Sequence, residues 1–341
     1  MAITAGRRRR RLITGLTVVL LSAAILLLFH FDEPLRRRFG GVKPGVQLQG
    51  IQMEGLFRAE VAEIIEKIAF TEGRKPVDAV LDDARNAIVP ELNGVEVDLE
   101  ATIERIMSAE IGTAVALQYR QITPLICWDH YPSKPAYQGN ARKAAVAFMI
   151  NVAWGDEYLL NMLKVLEKEG ARGTFFLTGT WAGRNEAMIR RMVEGGHEVG
   201  NHGYSDAEVF PELDAWAVTR SIRQTNEIIF DAVGRYPLYF TPHKGEFNDL
   251  TLELVSRQGM RTVLWTLDTV DWNKPGVAAM HEKIINRIGP GQIVLMHPTE
   301  DTVTLLELIL PEIKERGLSV IRMEELFDPV WLGAPVSGVG K

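Results

Sequence analysis

From Lys143 onward the chain alternates short apolar runs with amphipathic stretches, and this alternation constrains the fold more than any other feature. The runs are Ala144 to Asn151, Thr174 to Leu177, His197 to Gly200, Leu238 to Phe240, Thr262 to Leu267, Gln292 to Met296 and Leu318 to Ile321. Between them lie segments with helical spacing, at about Asp156 to Glu169, Asn185 to Glu194, Leu213 to Val233, Asn248 to Arg257, Val277 to Ile288 and Val303 to Glu315. Strands apolar on both faces, joined to helices by short connections, predict an α/β fold with a parallel barrel and helices outside. In such barrels the chemistry gathers at the C-terminal ends of the strands.

The polar residues obey that rule. Asn151 and Asp156 follow the first run, His202 and Asp206 the third, and His243 the fourth. Asp268, Asp271 and Trp272 follow the fifth, and His297 the sixth. Unrelated surface residues would not fall so regularly. His202 and Asp206 are four apart, so a helical turn opening at Gly203 would bring an imidazole and a carboxylate to one ion. Taken alone, the same pair reads equally as a capped, solvent-facing turn.

With 341 residues the chain has room for one large domain and a smaller one. A net charge of −6 gives no reason to expect nucleic acid as a partner. A single cysteine, Cys127, excludes an intramolecular disulfide and a thiolate cluster, so any metal must be held by histidines and carboxylates.

Residues 1–11 end in the basic run Arg7 to Arg11, and Leu12 to Phe29 follows without a charge. No small-x-small cleavage site comes after it, which favours a retained membrane helix over 12–30 rather than a cleaved signal peptide. The arginine run predicts an inside N-terminus and an extracytoplasmic body in a single-pass membrane protein, although Arg36 to Arg38 blunt the asymmetry. Residues 41–124 then read as a small α+β unit with helices at about Arg58 to Thr71 and Leu99 to Ala109. Residues 125–142, rich in proline and without periodicity, read as a linker in which Cys127 and Trp128 are packing residues. The barrel occupies 143–328 and a tail 329–341.

The small unit resembles the peptidoglycan-binding domain of vancomycin-resistance W-type proteins in P-V-D-A-V-L-D (Pro76 to Asp82), I-V-P-E, N-G-V-E-V-D and L-E-A-T-I. That resemblance implies contact with cell-wall glycan. Lys143 to Phe327 resembles the NodB-homology polysaccharide deacetylases, carbohydrate esterase family 4. It does so in T-F-F-L-T-G (Thr174 to Gly179), G-H-E-V-G-N-H (Gly196 to His202), D-T-V-D-W (Asp268 to Trp272) and L-M-H (Leu295 to His297). The resemblance implies a distorted (β/α)7 barrel that removes acetyl groups from peptidoglycan or a chitin-like glycan by hydrolysing a non-peptide C–N bond. It also implies a divalent metal, usually zinc, with His202 as a ligand and Asp206 at the position of a second histidine. His297 takes the general-acid position, with Asp271 the favoured orienting carboxylate and Asp268 the second choice. Leu295 would line the acetyl pocket, and Trp272 is either a wall of the groove or a packed aromatic.

The first motif departs from the family. Where the family has Thr-Phe-Asp-Asp, this chain has Met149-Ile150-Asn151-Val152, so the base and a metal ligand are missing. The arginine of the third motif is also absent, at Phe240-Thr241-Pro242-His243. The two losses are consistent, because that arginine pairs with the base and would be costly left alone. Asp156 or Glu157 could supply a base or third ligand, or could simply favour a helix N-terminus; His243 could ligate from the fourth strand. The wording I-N-V-A-W-G-D-E-Y resembles a sporulation-associated branch. Two functions therefore stand: a membrane-anchored metal-dependent deacetylase, or an impaired deacetylase fold that holds glycan.

Overall fold

The computed structural model describes residues 17–27 and 32–332. Within the expected membrane helix 12–30, residues 17–27 are helical and exposed, and the remainder lies outside the described residues, as does the arginine run. Among the described residues no helix is long and apolar enough to cross a membrane.

The chain divides into two compact units. The smaller contains residues up to Lys75 together with Gly94–Ile122. Its helices Arg58–Ala69 and Leu99–Ser108 bury Val61, Ile65, Ile103 and Ile106 against Val46, Leu48, Met53 and Val115. Three short strands run in the order Ile51–Gln52, Gln47–Leu48, Ala114–Val115, and Gly94–Val97 pairs antiparallel with Tyr119–Ile122. Asp98 caps the second helix by accepting from the Ala101 N–H at 3.0 Å, as an aspartate at that position does.

The larger unit contains Pro76–Asn93 and Thr123–Ala334. The expected boundaries at 41–124 and 125–142 therefore move. Val80–Asp82 and Ala87–Val89 form a hairpin whose Ile88 N–H donates to Pro135 O at 3.0 Å, and Ala79 and Ile88 are buried beside Trp128 and Ala136. Two of the four segments that resemble the peptidoglycan-binding domain thus lie in the larger unit. The expected linker is not a free connection, because Ala136 bridges to Val263 and Gln138 to Gln292. Trp128 and Cys127 are buried, as packing residues should be.

The sheet of this unit is built from eight parallel strands: β1 (Ala145–Val152), β2 (Thr174–Leu177), β3 (Glu198–Asn201), β4 (Tyr239–Phe240), β5 (Arg261–Thr262), β6 (Leu267–Asp268), β7 (Ile293–Met296) and β8 (Ser319–Ile321). Their order is β5-β4-β3-β2-β1-β7-β6, with β8 also paired to β1. It is the expected α/β fold of the deacetylase type, but with a curled, open half-barrel sheet of eight strands where a distorted seven-stranded barrel was expected. The segment expected as one strand, Thr262 to Leu267, splits into β5 and β6. Val263 pairs with Ala136, and Thr266 donates to Ile293 O, so its middle leaves the ladder.

β1 is wholly buried, and strand geometry sends alternate side chains to opposite faces. Val146, Phe148, Ile150 and Val152 enter the core beneath the helices, with Leu159, Met162 and Leu305. Ala145, Ala147 and Met149 face the inside of the sheet with Phe176, Tyr239 and Leu295. At roughly 2 kcal/mol per fully buried large aliphatic or aromatic side chain, this strand organises the unit. Gly155 then turns the chain at φ 83° into the helix Asp156–Lys168. A Cβ on Gly155 would lie 2.2 Å from Pro298 O, so only glycine lets the loop after β1 meet the loop after β7.

Candidate functional site

The C-terminal ends of β1, β3, β4, β6 and β7 converge on a cavity of about 540 Å³. Of the residues singled out from the sequence, Asn151, His202, Asp206, His243, Asp268, Trp272, Leu295 and His297 line it. Asp271 stands behind His297 and Asp156 is not brought in.

On one side β6 ends at Asp268, and Val270 turns the chain at φ 58°, a conformation that strains a β-branched residue. The Val270 N–H donates to Asp268 Oδ1 at 2.7 Å, which stabilises the turn and delivers Asp271 to a site 1 % exposed. Asp271 Oδ1 receives His297 Nδ1 at 2.8 Å. Its Oδ2 receives the His297 backbone N–H at 2.6 Å and the Thr302 hydroxyl at 2.8 Å. Thr302 is placed by the cap of the helix Glu300–Glu315, where Thr299 Oγ1 accepts from the Thr302 N–H at 3.0 Å. Burial alone would push the Asp271 carboxyl up. The His297 ring bond, the imidazole's charge, the His297 N–H and the Thr302 hydroxyl together outweigh it and hold the group below the usual range. With Nδ1 committed to this carboxylate, Nε2 is the His297 ring nitrogen left for the cavity. Trp154 stacks on that imidazole, centroids 5.7 Å apart and rings 8° from parallel.

The other side is less complete. Asn151 faces the cavity 5 % exposed, and its Oδ1 has no hydrogen-bond partner. Val152, at the family's metal-ligand position, points into the helix-side core. His202 Nδ1 donates to Thr241 O at 2.8 Å, leaving Nε2 as its acceptor. Thr241 occupies the place expected for arginine, fully buried, with its hydroxyl against Met149 Sδ. His243 packs on His202 with centroids 4.1 Å apart, and its buried Nε2 has no partner. A Cβ on Gly203, at φ 74°, would come within 3.1 Å of that nitrogen. Burial drives the His202 imidazole well below its ordinary range, with the neighbouring His243 adding to it. Burial brings His243 down to about 4, partly offset by Asp206. Both rings are neutral at pH 7.

A divalent metal expected at His202 and Asp206 does not fit this set. Among the described residues no three histidine, cysteine, aspartate or glutamate side chains are grouped to hold an ion. Asp206 is exposed, and Val152 offers no lone pair. Asp156 does not replace the missing base either: its Oδ1 accepts from the Trp181 indole N–H, and it sits with Glu157 in the first turn of a helix. That is the helix-terminus alternative, favoured by the dipole. Trp154, Trp265 and Lys244 also line the cavity and were not singled out beforehand. Trp154 lies two residues past the end of β1, so the strand-end rule alone would have found it.

Residues 138–263 match the polysaccharide deacetylase family. The protein YlxY of Bacillus subtilis (strain 168) is 34% identical over 254 residues, which are 74% of this chain and 79% of that one. The peptidoglycan-N-acetylmuramic acid deacetylase PdaA of the same organism is 27% identical over 195 residues, 56% of this chain and 74% of its own length. Among solved structures, wild-type BA3943, a CE4 family pseudoenzyme from Bacillus anthracis, is 31% identical with a TM-score of 0.68, covering 79% of this chain and 95% of that one. With the strand-end residues, the Asp271–His297 pair and these matches together, the chain belongs to the polysaccharide deacetylase family, carbohydrate esterase family 4.

Proposed function

We propose that this protein holds cell-wall glycan in the cleft of its deacetylase fold without hydrolysing it. The observation that carries the reading is the end of β1, where Asn151 and Val152 occupy the positions of the base and a metal ligand, and Val152 is turned into the core. A carboxamide takes no proton at neutral pH, so no water would be activated there. What remains suits binding: a concave site with indoles at Trp154, Trp265 and Trp272, an apolar patch at Leu295, and His297 Nε2 as a hydrogen-bonding group. A wall-glycan ligand is supported by the substrate named for PdaA, and absence of turnover by the description of BA3943 as a pseudoenzyme.

One observation favours a second reading, metal-dependent deacetylation: the pair Asp271–His297 is intact, with both Asp271 oxygens hydrogen-bonded and His297 Nε2 left for the cavity. Anchoring through residues 12–30, with the body outside the membrane and the smaller unit adding wall contact, belongs to both readings. The test is to incubate full-length protein with insoluble acetylated peptidoglycan, with and without added zinc. The expected result is co-sedimentation without release of free amine and without stoichiometric zinc uptake. Amine release that needs zinc and is lost in His202→Ala would establish the enzyme instead.

A further inference from the structure

We infer that the helix Glu33–Gly40 is a docking surface for anionic lipid headgroups, which holds the smaller unit against the bilayer instead of leaving it on a loose tether. This rests on the anchoring through residues 12–30 proposed above. The helix buries no residue of its own, yet it is bolted to the unit. Arg37 Nη1 and Nη2 each donate to the Glu60 carboxylate at 2.9 Å, and Nη1 also donates to Gly55 O at 3.3 Å. The Arg36 and Arg37 guanidinium carbons lie 5.5 and 5.1 Å from the centre of the Phe57 ring. Just past the helix, a Cβ on Gly41 would stand 2.6 Å from Gly55 O, so the two backbones meet there only because the residue is glycine.

Charge and reach name the occupant. Glu33 and Glu60 are committed to Arg37, while Arg36 and Arg38 are exposed. Phe39 is 67% exposed, and helical spacing puts it on one face with Leu35 and Arg36. An exposed aromatic ring flanked by arginines suits the headgroup layer, where the ring leaves water and the cations meet phosphate. A hydrated polyanion would take the charges and leave the ring wet. Leu27 is the last described residue of the exposed apolar helix, and the six peptide steps from it to Glu33 span at most roughly 20 Å. The arginines are therefore confined near whatever surface the apolar segment enters.

The test uses the full chain in nanodiscs of phosphatidylcholine, alone or mixed equally with phosphatidylglycerol. Cys127→Ser removes the native thiol, and Phe39→Cys then takes an environment-sensitive fluorophore whose quenching by neutral acrylamide reports access from water. We expect quenching to be at least about threefold weaker in the mixed discs, and the difference to vanish at about 1 M salt, where the charges are screened. Arg36→Gln combined with Arg38→Gln should abolish the difference and leave the far-ultraviolet circular dichroism unchanged, since both side chains are exposed. Equal quenching in the two discs, or a difference that survives the double substitution, overturns this inference and leaves anchoring in place. Protection by soluble dextran sulfate in pure phosphatidylcholine discs overturns it in favour of a polyanionic polymer. Failure of the chain to enter either disc overturns the anchoring reading itself.

Discussion

The two sides of the cleft differ in how their polar atoms are satisfied. Around Asp271, both carboxylate oxygens are occupied by donors from His297 and Thr302, and the strained turn at Val270 is braced by Asp268. Around Asn151 and His243, buried polar atoms face no partner, and the one firm bond is His202 Nδ1 to Thr241 O. The first side is a closed network that holds its geometry unaided. The second is open, with Asn151 Oδ1 and His243 Nε2 unpaired within the protein. Within one cavity, then, the two sides are stabilised separately, one by a closed hydrogen-bond network and the other chiefly by packing.

Substitutions break or sharpen this contrast, and all seven tryptophans lie in the larger unit, so indole fluorescence during urea unfolding reads that unit alone. Asp271→Ala should cost most, about 3 kcal/mol or more, since it strands three donors at once. A loss below about 1 kcal/mol would mean that the closed network is no stronger than the open one.

β3, the strand leading to His202, offers a comparable effect through pH. Burial raises the Glu198 carboxyl from 4.5 to about 7, against bonds from the Glu324 N–H and the Thr174 hydroxyl. Because the folded value is the higher one, stability is full below pH 4.5 and lost as the pH rises through about 7, by about 3 kcal/mol at most. Glu198→Gln should flatten that stretch of the stability profile; an unchanged slope would assign it to other groups.

Thr302→Val removes one of the Asp271 bonds and should cost about 1–2 kcal/mol. Asn151→Leu should change stability by no more than about 1 kcal/mol, in either direction. Should the Thr302 change prove harmless and the Asn151 change damaging, the assignment of closed and open sides would be reversed.

Much of this was legible in the chain. Alternating runs gave the parallel α/β unit, and the strand-end rule found seven of the residues that line the cavity, with Leu295 added by the family resemblance. Asp271 was readable as the orienting carboxylate from D-T-V-D-W, and the structure places it on His297 Nδ1. The hairpin at residues 76–93 was not legible in its true place. Nothing local distinguishes a strand pair that packs on its own unit from one that packs on Trp128 and Ala136, fifty residues on. Asp156 was ambiguous for a similar reason, since its fate depended on an indole at Trp181 that no spacing rule connects to it.

What the sequence determined by itself was local and periodic: which runs are strands, which are helices, and which side chains sit just past a strand's end. Only the tertiary structure decided that Val152 is lost to the helix-side core while Asn151 faces the cavity with an unpaired oxygen. It alone also decided that the sheet stays open between β5 and β6. The reason is that periodicity is written in neighbouring residues, whereas satisfaction of a buried polar atom depends on groups brought from distant parts of the chain.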